Sequence, residues 1–218
     1  NESSFDFERT NSFSASAWIK LAPVSGSDYM IISKLDASLS YRGWSFHIDG
    51  ADGSLRVHLT NNWGTSVRIR KDSASSVTDN SWHHVAFTYD GSSLASGINF
   101  YVDGVLSNGP TAYNSLSATI LNNVTPTLAI SATGGSRLKG TIDELRVYNR
   151  ALSDQEVLSL FNEATTPDTT PPTVSATSPV INATNVAVNS VITATFSEAM
   201  DAATIGMSTF TVSDGGGN

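Results

Sequence analysis

Apolar residues recur at every second position through most of the first 150 residues, the period that puts one side of a β-strand in a core. In Trp82–Tyr89, Val85, Phe87 and Tyr89 alternate with Ala86 and Thr88; in Ile98–Val105, Ile98, Phe100 and Val102 alternate with Asn99, Tyr101 and Asp103. A Gly/Ser/Asp-rich loop joins the two, and Asp103-Gly104 supplies turn chemistry for a further hairpin. Because a lone hairpin is marginal in water, a second sheet must cover it. Further strands are predicted at Ser4–Arg9, Ser12–Leu21, Tyr29–Lys34, Trp44–Ile48, Leu55–Thr60, Val67–Arg70, Thr127–Ser131 and Lys139–Asn149. Ser12–Leu21 carries apolar groups on both faces, as a central strand does. Asn61–Thr65 reads as a turn holding Trp63. Close spacing with Gly, Asn and Asp between strands predicts an all-β, two-sheet antiparallel jelly-roll sandwich.

One helix is signalled. Ser153-Asp154-Gln155-Glu156 has the form of a capping box, and Val157, Leu158, Leu160 and Phe161 follow at helical spacing. It is expected to cover one end of the sandwich. Thr and Pro in Ala164–Pro172 predict an extended linker. Beyond it, Thr173–Thr177, Val186–Phe196 and Ser208–Val212 are β-like but too few for a full Ig-type sandwich. The expected division is therefore a jelly roll over 1–163, a linker over 164–172 and part of an Ig-like β-sandwich over 173–218.

Composition narrows the function. A net charge of −8 over 218 residues argues against nucleic acid, which demands clustered Lys and Arg. No apolar run is long enough to span a bilayer. With no cysteine, disulfides, thiolate zinc sites and thiol catalysis are excluded. The polar positions are rich in Ser, Thr, Asn and Gly, which together with the linker points to a secreted or cell-surface bacterial module.

Three stretches carry a resemblance: Trp82-His83-His84-Val85-Ala86-Phe87-Thr88-Tyr89-Asp90-Gly91, then Phe100-Tyr101-Val102-Asp103-Gly104, then Gly140 to Ser153 through Ile142-Asp143-Glu144-Leu145. They resemble a laminin-G-like jelly roll of the concanavalin A-like lectin/glucanase superfamily, over about residues 4–163. The likeness implies two curved antiparallel sheets, sugar or protein binding without catalysis, and a structural calcium ion. On the calcium, it implies a carboxylate from Asp143, with partners near Phe5–Phe7, which brings in Asp6, and near Asp49–Gly53, which brings in Asp49 and Asp52. Calcium takes six to eight oxygens, so carbonyls and waters would complete such a set. The alternative for each Asp is a turn held through its own backbone. The segment from Pro171-Pro172 to Thr195-Phe196-Ser197-Glu198 resembles the first half of a bacterial surface-type Ig-like domain.

Candidate ligand contacts come from residue type and parity. His47 and His58 fall on the polar side of neighbouring strands, and Arg68 and Arg70 on a third. Together they read as a solvent-facing platform for sugar hydroxyls or anions, against the plainer reading of an ordinary solvated face. Trp63, Tyr41 and Tyr113 lie in predicted loops or at their edges, where rings stack on sugars or fold back over the sandwich. One of His83 and His84 must point inward. Glycoside hydrolysis needs two carboxyls facing one cleft, and no Glu-x-Asp-x-x-Glu run is present. The leading reading is a non-catalytic, lectin-like module binding carbohydrate or another cell-surface ligand. The alternatives are a surface-array module contacting other copies or neighbouring domains, and an accessory domain of a secreted glycoside hydrolase.

Overall fold

The computed structural model describes residues 2–23, 26–130, 137–165 and 173–197. The chain divides into two compact units, Asn1–Thr165 and Thr166–Asn218. In the first, the strands are β1 (Phe13–Leu21), β2 (Tyr29–Asp36), β3 (Arg42–Ile48), β4 (Ser54–Asn62), β5 (Val67–Ser76) and β6 (Trp82–Tyr89). They continue as β7 (Ile98–Val102), β8 (Val105–Leu106), β9 (Asn108–Asn114), β10 (Thr127–Leu128) and β11 (Gly140–Tyr148), before helix α1 (Asp154–Thr165). A five-stranded sheet has the order β11-β1-β6-β7-β8, and a six-stranded sheet β10-β2-β3-β4-β5-β9, with antiparallel pairing throughout.

The alternation read from the sequence is the wall of the core. Phe13, Ala15, Ala17 and Ile19 of β1 face Trp44, Phe46 and Ile48 of β3 and Leu55, Val57 and Leu59 of β4 within one buried cluster. Phe13 is its hub: its ring stacks on Phe7 at 4.4 Å and meets Trp44, Phe87 and Tyr89 at 5.3, 5.4 and 5.7 Å. Such tilted and edge contacts add to the burial of the rings themselves. Asp103 and Gly104, both at positive φ, turn β7 into β8.

Some expectations shift. Ser4–Arg9 is not a strand: a short 3-10 turn at Glu2–Phe5 leads to Phe7, whose ring is anchored in the core. β9 escaped the sequence pattern because its residues are largely exposed on both sides, leaving no alternation to see. The helix covers the outer face of the five-stranded sheet and not an end of the sandwich. There Val157 and Leu152 bury Ala86 and Tyr101, and Phe161 stacks on Trp18 at 5.8 Å. Its capping box forms as read, the Ser153 N–H donating to Glu156 Oε2 at 2.8 Å and the Glu156 N–H to Ser153 Oγ at 3.3 Å. In the second unit, β12 (Val174–Ser178) and β13 (Thr193–Phe196) pair antiparallel. The predicted Ser208–Val212 strand, Ser131 and most of the linker lie outside the described residues.

Three of the four histidines lie in the interior. His47, His58 and His84 are buried, and burial drives His47 down to about 3 and His84 to about 4, with His58 well below its usual value. Each folds neutral, whereas the unfolded chain takes up a proton at each near pH 6.5. His83 has the opposite sign: burial lowers its value, but Asp103 at 2.8 Å and Asp79 at 3.1 Å outweigh that and raise it. Its contribution is complete below pH 6.5 and fades as the pH rises through the folded value.

Two outcomes follow for stability. As the pH falls from 6.5 towards 4.5, the unfolded chain binds more protons than the folded one. The buried histidines then cost up to about 1.4 kcal/mol per pH unit each. Thermal melts across that window should show a falling midpoint, less steep in His58→Gln; a flat profile would contradict three neutral buried imidazoles. Ser14 lies under the loop into α1, its Oγ donating to Arg150 O at 2.9 Å and accepting from the Leu152 N–H at 3.0 Å. Ser14→Ala strands a buried N–H and should lower the urea unfolding free energy by about 1–3 kcal/mol.

Candidate functional site

The outward side chains of β3, β4 and β5 stand in rungs across the six-stranded sheet. His47 pairs with Arg56 and Arg56 with Asp72; Ser45 with His58, His58 with Arg70, and Arg70 with Tyr113 of β9; Gly43 with Thr60 and Thr60 with Arg68. The period of two that buries Phe46, Val57 and Ile69 on one face necessarily collects these groups on the other.

The first rung is an ion-pair node. Arg56 donates from Nε and Nη2 to Asp72 at 2.7 and 3.0 Å and from Nη2 to Asp49, while Nη1 stands 3.8 Å from Asp28. Arg70 Nη2 lies 3.3 Å from Asp72 and 4.0 Å from Asp49. Burial alone would raise the Asp72 carboxyl, but the two guanidiniums outweigh it and hold it below the ordinary value. Next come the neutral imidazoles. His47 Nδ1 is 3.3 Å from Ser45 Oγ, the His47 and His58 rings are 5.0 Å apart, and His58 meets Trp63 edge-on at 4.9 Å.

The third rung is aromatic. The Arg68 guanidinium carbon lies 3.9 Å from the ring centroid of Trp63 and 3.9 Å from that of Tyr113, so the cation is sandwiched. Tyr41 stands 5.9 Å from Trp63. The Trp63 N–H donates to Ser40 O at 2.9 Å, tying the hairpin tip between β4 and β5 to the turn before β3. Ser40 and Tyr41 are both left-handed, at φ 56° and 58°. That conformation is unusual for an aromatic residue and typical of places where geometry serves a site.

Trp63, Tyr41, His47, His58, Arg68 and Arg70 are thus brought together on one face. The expectation of a solvent-facing platform needs correction, however. His47, His58 and Arg68 are buried, because the rungs pack against one another and Trp63 and Tyr113 close over them. The rim is what solvent reaches, with Trp63 40% exposed. Sequence reasoning missed Arg56 and Asp72, although both share the parity of His58 and Arg70. Asp28 gave no signal, since it sits in a loop. Tyr113 lies within β9 and does not fold back over the end of the sandwich.

The Asp143 carboxylate and the Asp6, Asp49 and Asp52 side chains named with it are each engaged separately. Asp6 pairs with Lys34 at 2.8 Å, beside the start of β3, where Phe5 O accepts from Trp44 Nε1. Asp49 and Asp52 lie beyond the other end of β3, about 17 Å away at 3.3 Å per residue. Asp49 is held by Arg56, and both Asp49 and Asp52 close Asx-turns to Ala51 and Ser54. Asp143 is opposite Trp18 in the other sheet, exposed, accepting from the Glu144 N–H at 2.8 Å. No group of three or more potential metal ligands gathers among the described residues. The four Asp side chains do not gather around one cation, and at the first rung a guanidinium stands among the carboxylates.

A family model described as the concanavalin A-like lectin/glucanases superfamily matches residues 2–158, and a bacterial Ig-like domain model matches 168–218. Over 159 residues, 72% of this chain, the sequence is 24% identical to adhesion G-protein coupled receptor V1 of Danio rerio, of whose length that is 2%. Among solved structures, the binding domain of Paraclostridial Mosquitocidal Protein 1 superposes with a TM-score of 0.54 at 20% identity, over 75% of this chain and 40% of that one. The binding domain of botulinum neurotoxin DC does so at 0.52 and 21%, over 71% and 36%. At these identities the structural likeness is one of fold, and the chain spans well under two thirds of the length of each relative. The match over 2–158 carries the assignment: this chain belongs to the concanavalin A-like lectin/glucanases superfamily, through a laminin-G-type domain followed by a bacterial Ig-like domain.

Proposed function

We propose that the first unit is a non-catalytic binding module of an extracellular bacterial surface protein, taking carbohydrate on the outer face of its six-stranded sheet. The observation that carries this reading is the rim of Tyr41, Trp63 and Tyr113 set around Arg68. Flat rings held beside polar donors suit the alternating C–H faces and hydroxyls of a saccharide, and they lose little torsional freedom on binding. Solved neighbours of this fold are named as binding domains, one of them in complex with SialylT and one with rat synaptotagmin II, and the curated relative is an adhesion receptor. The adjoining Ig-like domain is of a kind that suits display on a surface. No helix among the described residues is long and apolar enough to cross a membrane.

A catalytic reading has no support in the geometry of this face. Arg56 and Arg70 hold the Asp72 carboxyl below its ordinary value, whereas a glycosidase acid must hold its proton near neutrality.

Glycan-array and titration binding should fall about tenfold or more in Trp63→Ala, while unfolding stays cooperative because Trp63 lies outside the hydrophobic cluster between the sheets. Retained binding would exclude this face. The proposed mode gives calcium no part: a chelator should leave both the midpoint and binding unaltered, and a midpoint raised by added calcium would return a metal to the account.

A further inference from the structure

The sheet's outer face carries three guanidiniums and three carboxylates, yet they are unevenly matched. Arg56 has Asp28, Asp49 and Asp72 within 4.0 Å, and Arg70 has Asp72 and Asp49. Every one of these carboxylates sits at the Arg56 end of the ladder. Arg68, at the other end, makes no ion pair among the described residues, and its side chain is in contact with two rings. It is 6% exposed, and its Nε and Nη1 are enclosed without a hydrogen-bond partner, whereas Nη2 is not enclosed.

An enclosed guanidinium lacking an acceptor is costly, since each unmet donor forfeits about 1–3 kcal/mol and a charged one more. Stacking on Trp63 and Tyr113 orients the cation but leaves its in-plane N–H groups without acceptors. The neighbouring imidazoles do not add charge, as His58 is neutral. Carboxylates therefore answer the guanidiniums at one end of the ladder and are missing at the other, beside the exposed ring of Trp63. The donor left open to a ligand is Nη2, and an oxyanion is the acceptor that answers a charged N–H most strongly.

We propose that Arg68 selects the ligand's charge: the saccharide bound at this face carries an oxyanion, carboxylate or sulfate, that accepts from the Arg68 guanidinium while its ring lies on Trp63. This rests on the carbohydrate reading above and adds the chemical class of the sugar. In an otherwise acidic protein, of net charge −8, it also accounts for a local positive end. Bulk electrostatics would repel such a ligand, so recognition depends on this short-range contact.

The test compares whole-chain protein with oligosaccharides built on galacturonate, glucuronate and sialate, each against its carboxyl-reduced twin, and with sulfated galactans as a separate arm. An acidic oligosaccharide should bind at least about tenfold more tightly than its reduced twin, and the gap should persist as salt rises, because salt screens the bulk repulsion more than the short-range contact. Arg68→Gln should abolish that gap, and Arg68→Lys should restore only part of it. Tightness for the sulfated arm alone would identify sulfate as the oxyanion. The wild-type comparison needs no variant, so a folding defect at position 68 cannot obscure it. Equal affinity for acidic and reduced twins, both lost in Trp63→Ala, overturns the role of Arg68 and leaves the carbohydrate reading standing. No binding to any saccharide in the set overturns both.

Discussion

A guanidinium removed from water has to find negative partners, and Arg56 finds three, on β5, in the β3–β4 turn and in the loop before β2. That demand organises the far face of the six-stranded sheet. Asp72 is drawn in from the neighbouring strand, Asp49 from the turn and Asp28 from the loop, so three separate pieces of chain converge on one side chain. With the node closed, His47 and His58 pack beside it as neutral rings and the face becomes a second, polar interior. Removing one member of such a buried network leaves an uncompensated charge, which costs about 3–5 kcal/mol, far more than an exposed pair is worth.

The two faces of this sheet obey different physics although one strand period creates both. Inward, Trp44, Phe46, Val57 and Leu59 need only volume and apolar surface, and the rings around Phe13 supply it. Outward, every group needs a specific partner at a specific distance. The inner face tolerates exchange of one hydrophobe for another of similar size. The outer face does not, because Arg56→Lys would lose the fork that bridges Asp72 and Asp49.

That difference explains what could be read from the sequence. Alternation at Val85-Phe87-Tyr89 or Leu55-Val57-Leu59 announces a strand and its buried side together, so the sandwich was legible, as was the capping box at Ser153 and Glu156. β9 was not, since its residues are largely exposed on both sides and leave no alternation to read. At the site, parity put His47, His58, Arg68 and Arg70 on one face. It could not say that the face would be dry, because burial there comes from Trp63 and Tyr113 closing in from other segments. Likewise, Asp49 and Asp52 look alike beside Gly in sequence. Only the fold shows that Asp49 answers Arg56, while Asp52 caps its own turn.

The hairpin tip that presents Trp63 makes its closing bonds locally: Asn62 Oδ1 accepts from the Thr65 N–H, and the Ser66 N–H donates to Trp63 O. None of its residues belongs to the hydrophobic cluster between the sheets. Selection can therefore rewrite this short segment without disturbing the hydrophobic core between the sheets. Descendants of a common ancestor could then diverge in what they recognise while remaining superimposable everywhere else.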